Sequence, residues 1–392
     1  MARILIGWES GTSSTLLWDA ATIGRTLSEA GHEIHYALGD PIAFLEFGEP
    51  GPYRHLWQAP TVPGAPQLLM RPPKVASLSD LMALAGFNRA ARLTTLAQIW
   101  AGLIETLAPA AIIAIGAPVL TMVGPTRAPT LLSGDNQALP PILHGAFPRQ
   151  AADIAPVTAL ADMVDNANAA LSAIGGRPID VLADLHSRCR EIRYGLSLLD
   201  PYLPLRRGPS LGLLGGAAPF TLPPIEPRLA VYLDVNCPNI EAFAVALAGL
   251  EGMSADVCIK GAPEGMSRYL AGQAQLRYFD SYTALAAQTD AATCIIHHGV
   301  PRLAELALTA GRQQLIVPWT GEHSWLLGAL KTLGVAWEKA PTASLAEIAT
   351  TMIGLPNDAS AAANARHVGQ QLADLQMEDA TRKIAAAVAE TV

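Results

Sequence analysis

Two short apolar runs in the last third of the chain, residues 294–296 and 315–317, each end in polar residues suited to holding an anion. The first is followed by His297, His298 and Gly299, and the second by Pro318, Trp319, Gly321, Glu322 and His323. A strand that breaks into a turn and then a helix leaves the first helical N–H groups free, and in a parallel sheet these turns gather at the carboxyl ends of the strands, where phosphate is bound. Near the amino terminus, Trp8 closes an apolar run, and Ser10, Thr12, Ser13 and Ser14 follow as a hydroxyl-rich turn. Such hydroxyls either cap the next helix or donate to a ligand. Asp135 and Asn136 stand in a third polar turn, after the apolar residues 130–132, as acid and amide groups for a polar ligand or for the turn itself.

The elements that must position these groups alternate along the chain. Residues 4–8 and 34–38 read as strands around a helix over 16–30, and 110–115 as a buried strand. A second series starts after a Pro- and Gly-rich stretch, 200–227: strand 229–234, helix 239–250, strand 255–260, a short helix over 266–272 and strand 276–279. It continues with strand 294–296, helix 301–310, strand 315–317 and a helix opened by Gly321. Strands alternating with helices predict parallel sheets.

On these residues the chain resembles the GT-B glycosyltransferases of the UDP-glycosyltransferase type. Their donor half runs roughly HHGGxGT, then EALxxGxPQ, then a strand ending in Pro, then (D/E)Q. His298, Gly299, Gly311, Gln314, Pro318 and Glu322 match without gaps, whereas Val300, Arg302, Leu303, Leu306, Gln313 and His323 depart. The opening, from Trp8 to Gly31, is similar to a subgroup that begins WELGGGLGH. In that register Leu16 stands where the family has its base His, and Ile115 where it has the partner Asp. A His–Asp dyad needs lone pairs on both members, and Leu and Ile have none.

The resemblance implies an α/β fold of two Rossmann-like domains facing a cleft, with a C-terminal helix crossing back to the first. The expected division is 1–200 as the acceptor-side domain, 201–228 as linker, 229–360 as the donor-side domain and 361–392 as the terminal helix. It implies inverting, metal-independent transfer of a sugar from a nucleoside diphosphate, UDP or dTDP, to a hydroxyl of a small apolar acceptor. Donor contacts are expected from His298, Gly299, Arg302, Trp319, Glu322 and His323, with Arg302 supplying charge where glycine N–H groups are lost. Acceptor contacts are expected from Trp8, Ser13, Asp135 and Asn136, and Asp19, about one turn into the first helix, is the candidate substitute base. His298 has a second reading as a turn residue capping a helix, and Glu322 as an acid favoured by the helix dipole. With the dyad and glycines lost, the second function class is a homologue that no longer catalyses and binds a small molecule or supports an active glycosyltransferase; a homodimer is the other expected partner.

Bulk properties bound these readings. The chain has 392 residues, enough for two cores, and a net charge of −8 with 15% charged residues, which advertises no nucleic-acid surface. The uncharged run 107–124 is broken by Pro109, Gly116 and Pro118, so it reads as a strand and a connection and no membrane span is expected. No charged-then-apolar leader precedes the first strand, which points to the cytosol. Cys189, Cys237, Cys258 and Cys294 lack CxxC spacing and read as buried thiols, with no metal site expected.

Overall fold

The structure is a computed structural model that describes residues 1–9, 14–44, 55–62, 75–150, 153–224, 226–375, 377 and 379–392; the side chains of Ser14 and Glu322 lie outside the described set. Expectations for Ser10, Thr12 and Ser13 fall outside it too. The chain forms two compact units, Met1–Gly215 with Asp379–Val392, and Gly216–Glu378. The stretch expected as a linker, 201–228, is divided between them. Its first part is held in the first unit by buried Tyr202, Leu213 and Leu214.

The first unit carries a six-stranded parallel sheet in the order β3-β2-β1-β4-β5-β6. Its strands are β1 (Arg3–Trp8), β2 (Glu33–Leu38), β3 (Leu56–Gln58), β4 (Ala111–Ile115), β5 (Thr130–Asp135) and β6 (Arg190–Tyr194). The β4 sequence AIIAI is buried at every position, because helices cover both faces of a parallel sheet and no alternation is needed. The helix Ala90–Leu107 buries Leu93, Leu96, Ala97, Trp100, Ala101, Ile104 and Leu107, the repeat of one helical face.

The second unit repeats the plan in the order β12-β11-β10-β7-β8-β9. Here the strands are β7 (Arg228–Asp234), β8 (Ser254–Lys260), β9 (Leu276–Tyr278), β10 (Cys294–His297), β11 (Gln313–Ile316) and β12 (Ala336–Glu338). In both sheets the order reverses in the middle, between β1 and β4 and between β7 and β10. These switch points open the crevice in which ligands of doubly wound folds bind.

The terminal region is two helices rather than one. Ala359–Asp374 lies in the second unit, while Ala380–Ala389 returns to the first and packs against the helix Ser14–Glu29. Asp379 accepts from Thr381 N at 2.9 Å and from Gly215 N at 3.1 Å, so one carboxylate both caps the helix and ties it to the preceding chain. The uncharged run 107–124 becomes β4 and the short helix Pro118–Val123. Among the described residues no helix is long and apolar enough to cross a membrane.

Candidate functional site

At the switch point of the second unit, β10 ends in His297 and the chain turns through His298 and Gly299 into the helix Pro301–Thr309. His297 is fully buried and organises this turn. Its Nδ1 accepts from Gly299 N at 3.2 Å and Val300 N at 2.9 Å, so Nε2 carries the proton and donates to Gln314 Oε1 at 2.9 Å. Gln314, matched from the sequence as a family residue, thus holds the turn from β11. Burial lowers the His297 pKa to about 4, which keeps the imidazole neutral and able to accept.

His298 lies beyond the strand end with its ring 5.0 Å from that of His323, 5.6 Å from Tyr232 and 6.3 Å from Trp319. A ring N–H donates to the Tyr232 carbonyl, and Nδ1 is buried with no hydrogen-bond partner among the described residues. Burial first, then the neighbouring His323, His297 and Lys260, hold its pKa well below the ordinary value. Trp319 Nε1 is likewise buried without a partner. His323 opens the helix Gly321–Thr332, whose N-cap Thr320 accepts from His323 N, and burial lowers its pKa to about 3. Glu322 sits in the first turn of this helix, with its side chain outside the described set. The structure therefore gathers His298, Trp319 and His323 into one aromatic, weakly basic cluster.

Two donor-site expectations meet a different geometry. The Gly299 and Val300 N–H groups, which a bare turn would offer to phosphate, are taken by His297. Gly299 has φ 111°, and a Cβ there would stand 2.8 Å from the His323 Cα, so glycine lets the next helix close over the turn. Arg302 is not a free charge: it is 5% exposed, its Nη1 reaches Glu305 Oε2 at 3.4 Å and its Nη2 donates to the Gly216 carbonyl at 3.0 Å. A buried guanidinium needs such partners, and these tie it to Glu305 on its own helix and to the chain at Gly216.

In the first unit Asp19 is 2% exposed and its Oδ2 accepts from the Tyr194 hydroxyl at 2.5 Å. Leu16 and Ile115 are buried. Trp8 is 1% exposed, and its Nε1 is buried with no partner among the described residues. Asp135 caps its own turn through Gln137 N and Ala138 N, at 2.9 and 2.7 Å. Asn136 is turned inward: Nδ2 donates to the Leu196 carbonyl at 3.0 Å and Oδ1 accepts from Arg193 at 2.8 Å, which leaves its amide occupied by the protein.

Sequence reasoning passed over Glu9. It follows β1, and its carboxyl crosses the switch point to accept from Val119 N at 2.9 Å and Leu120 N at 2.7 Å. Burial outweighs these donors and the Trp100 contact and raises its pKa to about 8, so it holds a proton at neutral pH. The available signal was an acid directly after a strand end, between an apolar run and a hydroxyl-rich turn.

No protein-family model matches the chain, and no curated protein sequence does. Solved structures do. The glycosyltransferase SnogD from Streptomyces nogalater is 18% identical, with 100% of this chain and 99% of that one covered, at a TM-score of 0.64. The glycosyltransferase VinC in complex with dTDP is 18% identical, with 99% of each chain covered, at 0.58. The spinosyn rhamnosyltransferase SpnG complexed with spinosyn aglycone is 14% identical, covering 99% of this chain and 100% of that one, at 0.60. With two six-stranded parallel sheets and full-length coverage, the chain has the GT-B fold.

Proposed function

We propose that this GT-B chain transfers a sugar from a nucleoside diphosphate, UDP or dTDP, to a hydroxyl of a small-molecule acceptor. The observation that carries the reading is the pair of buried polar atoms at the second unit's switch point, His298 Nδ1 and Trp319 Nε1, that have no partner among the described residues. Orphaned groups of this kind cost free energy unless something completes them, and a ligand is the natural complement. The indole offers a donor to phosphate or carbonyl oxygen. The neutral imidazole, with its ring N–H on Tyr232, offers a lone pair to a sugar or ribose hydroxyl, and must gain a proton at Nδ1 to donate to a diphosphate. Glu322, in the first turn of the facing helix, is assigned to sugar hydroxyls.

The reaction asks for a base that removes the acceptor proton, a role worth typically about 10²–10⁴-fold. Two carboxyls of the first unit are candidates for it: Asp19, which accepts from Tyr194, and Glu9, directly after β1. With a pKa of about 8, Glu9 serves as a base only on the alkaline side.

A second reading, a non-catalytic homologue that binds a small molecule or supports an active glycosyltransferase, is favoured by one observation. The two dyad positions of the resemblance, Leu16 and Ile115, are buried aliphatic residues.

Thermal unfolding with UDP or dTDP tests the first reading. At about 100 times its dissociation constant the nucleotide stabilises the fold by roughly 2.7 kcal/mol. His298→Ala is expected to remove most of that shift, and wild-type affinity to rise toward acid pH by up to about tenfold per pH unit, because the diphosphate requires the Nδ1 proton. No shift with either nucleotide at millimolar concentration sinks the donor site. A shift without sugar transfer selects the second reading.

A further inference from the structure

We infer that Glu33, His35 and His55 form a binding site for a zinc-class divalent cation at the amino-terminal edge of the first unit's sheet. Glu33 and His35 stand at i and i+2 on β2, so both side chains leave the same face. His55 immediately precedes β3, and its carbonyl accepts from Tyr36 N at 2.8 Å, which sets His55 beside His35 in the parallel register. The two imidazoles stack with centroids 4.1 Å apart and planes inclined by 18°. Glu33 Oε1 lies 2.8 Å from His35 Nε2 and 3.7 Å from His55 Nε2, and one ligand atom from each residue falls within 4.8 Å of the others.

Zinc bonds of about 2.0–2.1 Å in tetrahedral geometry place neighbouring ligand atoms about 3.3–3.4 Å apart. The two separations from Glu33 Oε1 bracket that value, and rotation of the stacked imidazoles about their side-chain bonds would turn all three ligand atoms toward one ion. Two imidazoles and one carboxylate are a donor set for zinc or cobalt rather than magnesium or calcium, which prefer oxygen. His35 is buried while the Glu33 and His55 side chains are 30% and 37% exposed, which leaves a way in and room for a water as fourth ligand.

Two neighbours set how the site responds. Arg3 Nε lies 3.4 Å from Glu33 Oε1 and competes electrostatically with a cation. Trp57 Nε1 donates to His35 Nδ1 at 3.4 Å. When Nε2 binds the ion the ring proton moves to Nδ1, where it would face the indole N–H. Trp57, 38% exposed, is then expected to turn away, and its fluorescence reports the event.

The site is tested on the full-length, tag-free, chelator-stripped protein. Titrated zinc is expected to bind at one equivalent, raise the melting temperature and change the tryptophan emission, and cobalt to develop the visible absorption of a low-coordinate ion. His55→Ala should weaken zinc at least about tenfold, Trp57→Phe should bind zinc without the emission change, and Arg3→Gln should tighten it. A cobalt spectrum that stays that of the hydrated ion overturns the proposal in the wild-type protein, whatever the variants do. Equal zinc affinity in His55→Ala, or the same melting shift with magnesium, overturns it too.

Discussion

His186, His297 and His323 are held neutral by burial, with pKa values lowered to about 4, 4 and 3. Because these folded-state values lie below that of the unfolded chain, each contributes stability that is complete above about pH 6.5 and is lost as pH falls toward the folded value. Glu9 works in the opposite sense. Its pKa is raised from 4.5 to about 8, so the folded chain keeps a proton the unfolded chain has released, and stability falls as pH rises from 4.5 through 8. Glu9→Gln removes that titration and keeps an acceptor oxygen for one of the two N–H groups of Val119 and Leu120, at a pH-independent cost for the other. In urea melts the variant should gain on the wild type across this window, by on the order of a few kcal/mol at its top. A difference that does not change with pH would mean that the Glu9 carboxyl ionises normally.

The turn after β10 shows how one element trades ligand donors for internal order. With its N–H groups satisfied by His297 and its glycine covered by His323, the turn is fixed before any nucleotide arrives. Gly299→Ala puts a Cβ 2.8 Å from backbone and at φ 111°, where an L side chain is strained. It is expected to cost at least about 2 kcal/mol and to abolish the nucleotide-dependent melting shift. Gly328, inside the helix Gly321–Thr332, has nothing within 4 Å of a Cβ. Gly328→Ala should therefore stabilise by about 0.5–1 kcal/mol, the ordinary helix preference. Denaturant midpoints of the two variants moving in the same direction would refute this account of the turn.

At the scale of the whole molecule, the last helix belongs to the first unit although the chain reaches it through the second. Ala380–Ala389 buries Ile384 at 1% and Val388 at 0% exposure, and Arg190 pairs with Glu390 at 2.8 Å. Each such aliphatic side chain is worth about 1.5–3 kcal/mol of burial. A chain truncated after Glu378 should thus lose several kcal/mol from the first unit while the second, continuous over Gly216–Glu378, keeps its stability. Hydrogen exchange resolves this: accelerated exchange in β1, β4 and the Ser14–Glu29 helix, with β7, β8 and β10 unchanged, is the expected pattern. Equal loss in both units would show that the helix does not stabilise the first unit selectively.

Much of this architecture was legible in the order of residue types. Apolar runs of strand length separated by helix-period segments dictate parallel sheets. The interval from His298 through Gly311 to Pro318 kept the spacing of a GT-B donor half even with half its motif residues replaced, because spacing is set by strand and helix lengths that the core enforces. Apart from the terminal helix, which is two, the ends of the elements read from the sequence fall within about two residues of those observed. The sequence could not say where side-chain hydrogen bonds end. Arg302, Asn136 and Asp19 each looked available and are each committed to a partner, Asn136 to Arg193 and Asp19 to Tyr194, which lies 175 residues away. Glu9 showed in sequence only as an acid after a strand end, because its partners, the N–H groups of Val119 and Leu120, arrive only when β4 pairs beside β1. The Glu33, His35 and His55 cluster depends likewise on the pairing of β2 with β3. Periodicity is a local property of the chain and survives in one dimension. Burial, orphaned polar atoms and ligand sets are properties of which strands become neighbours, and these only the folded sheet decides.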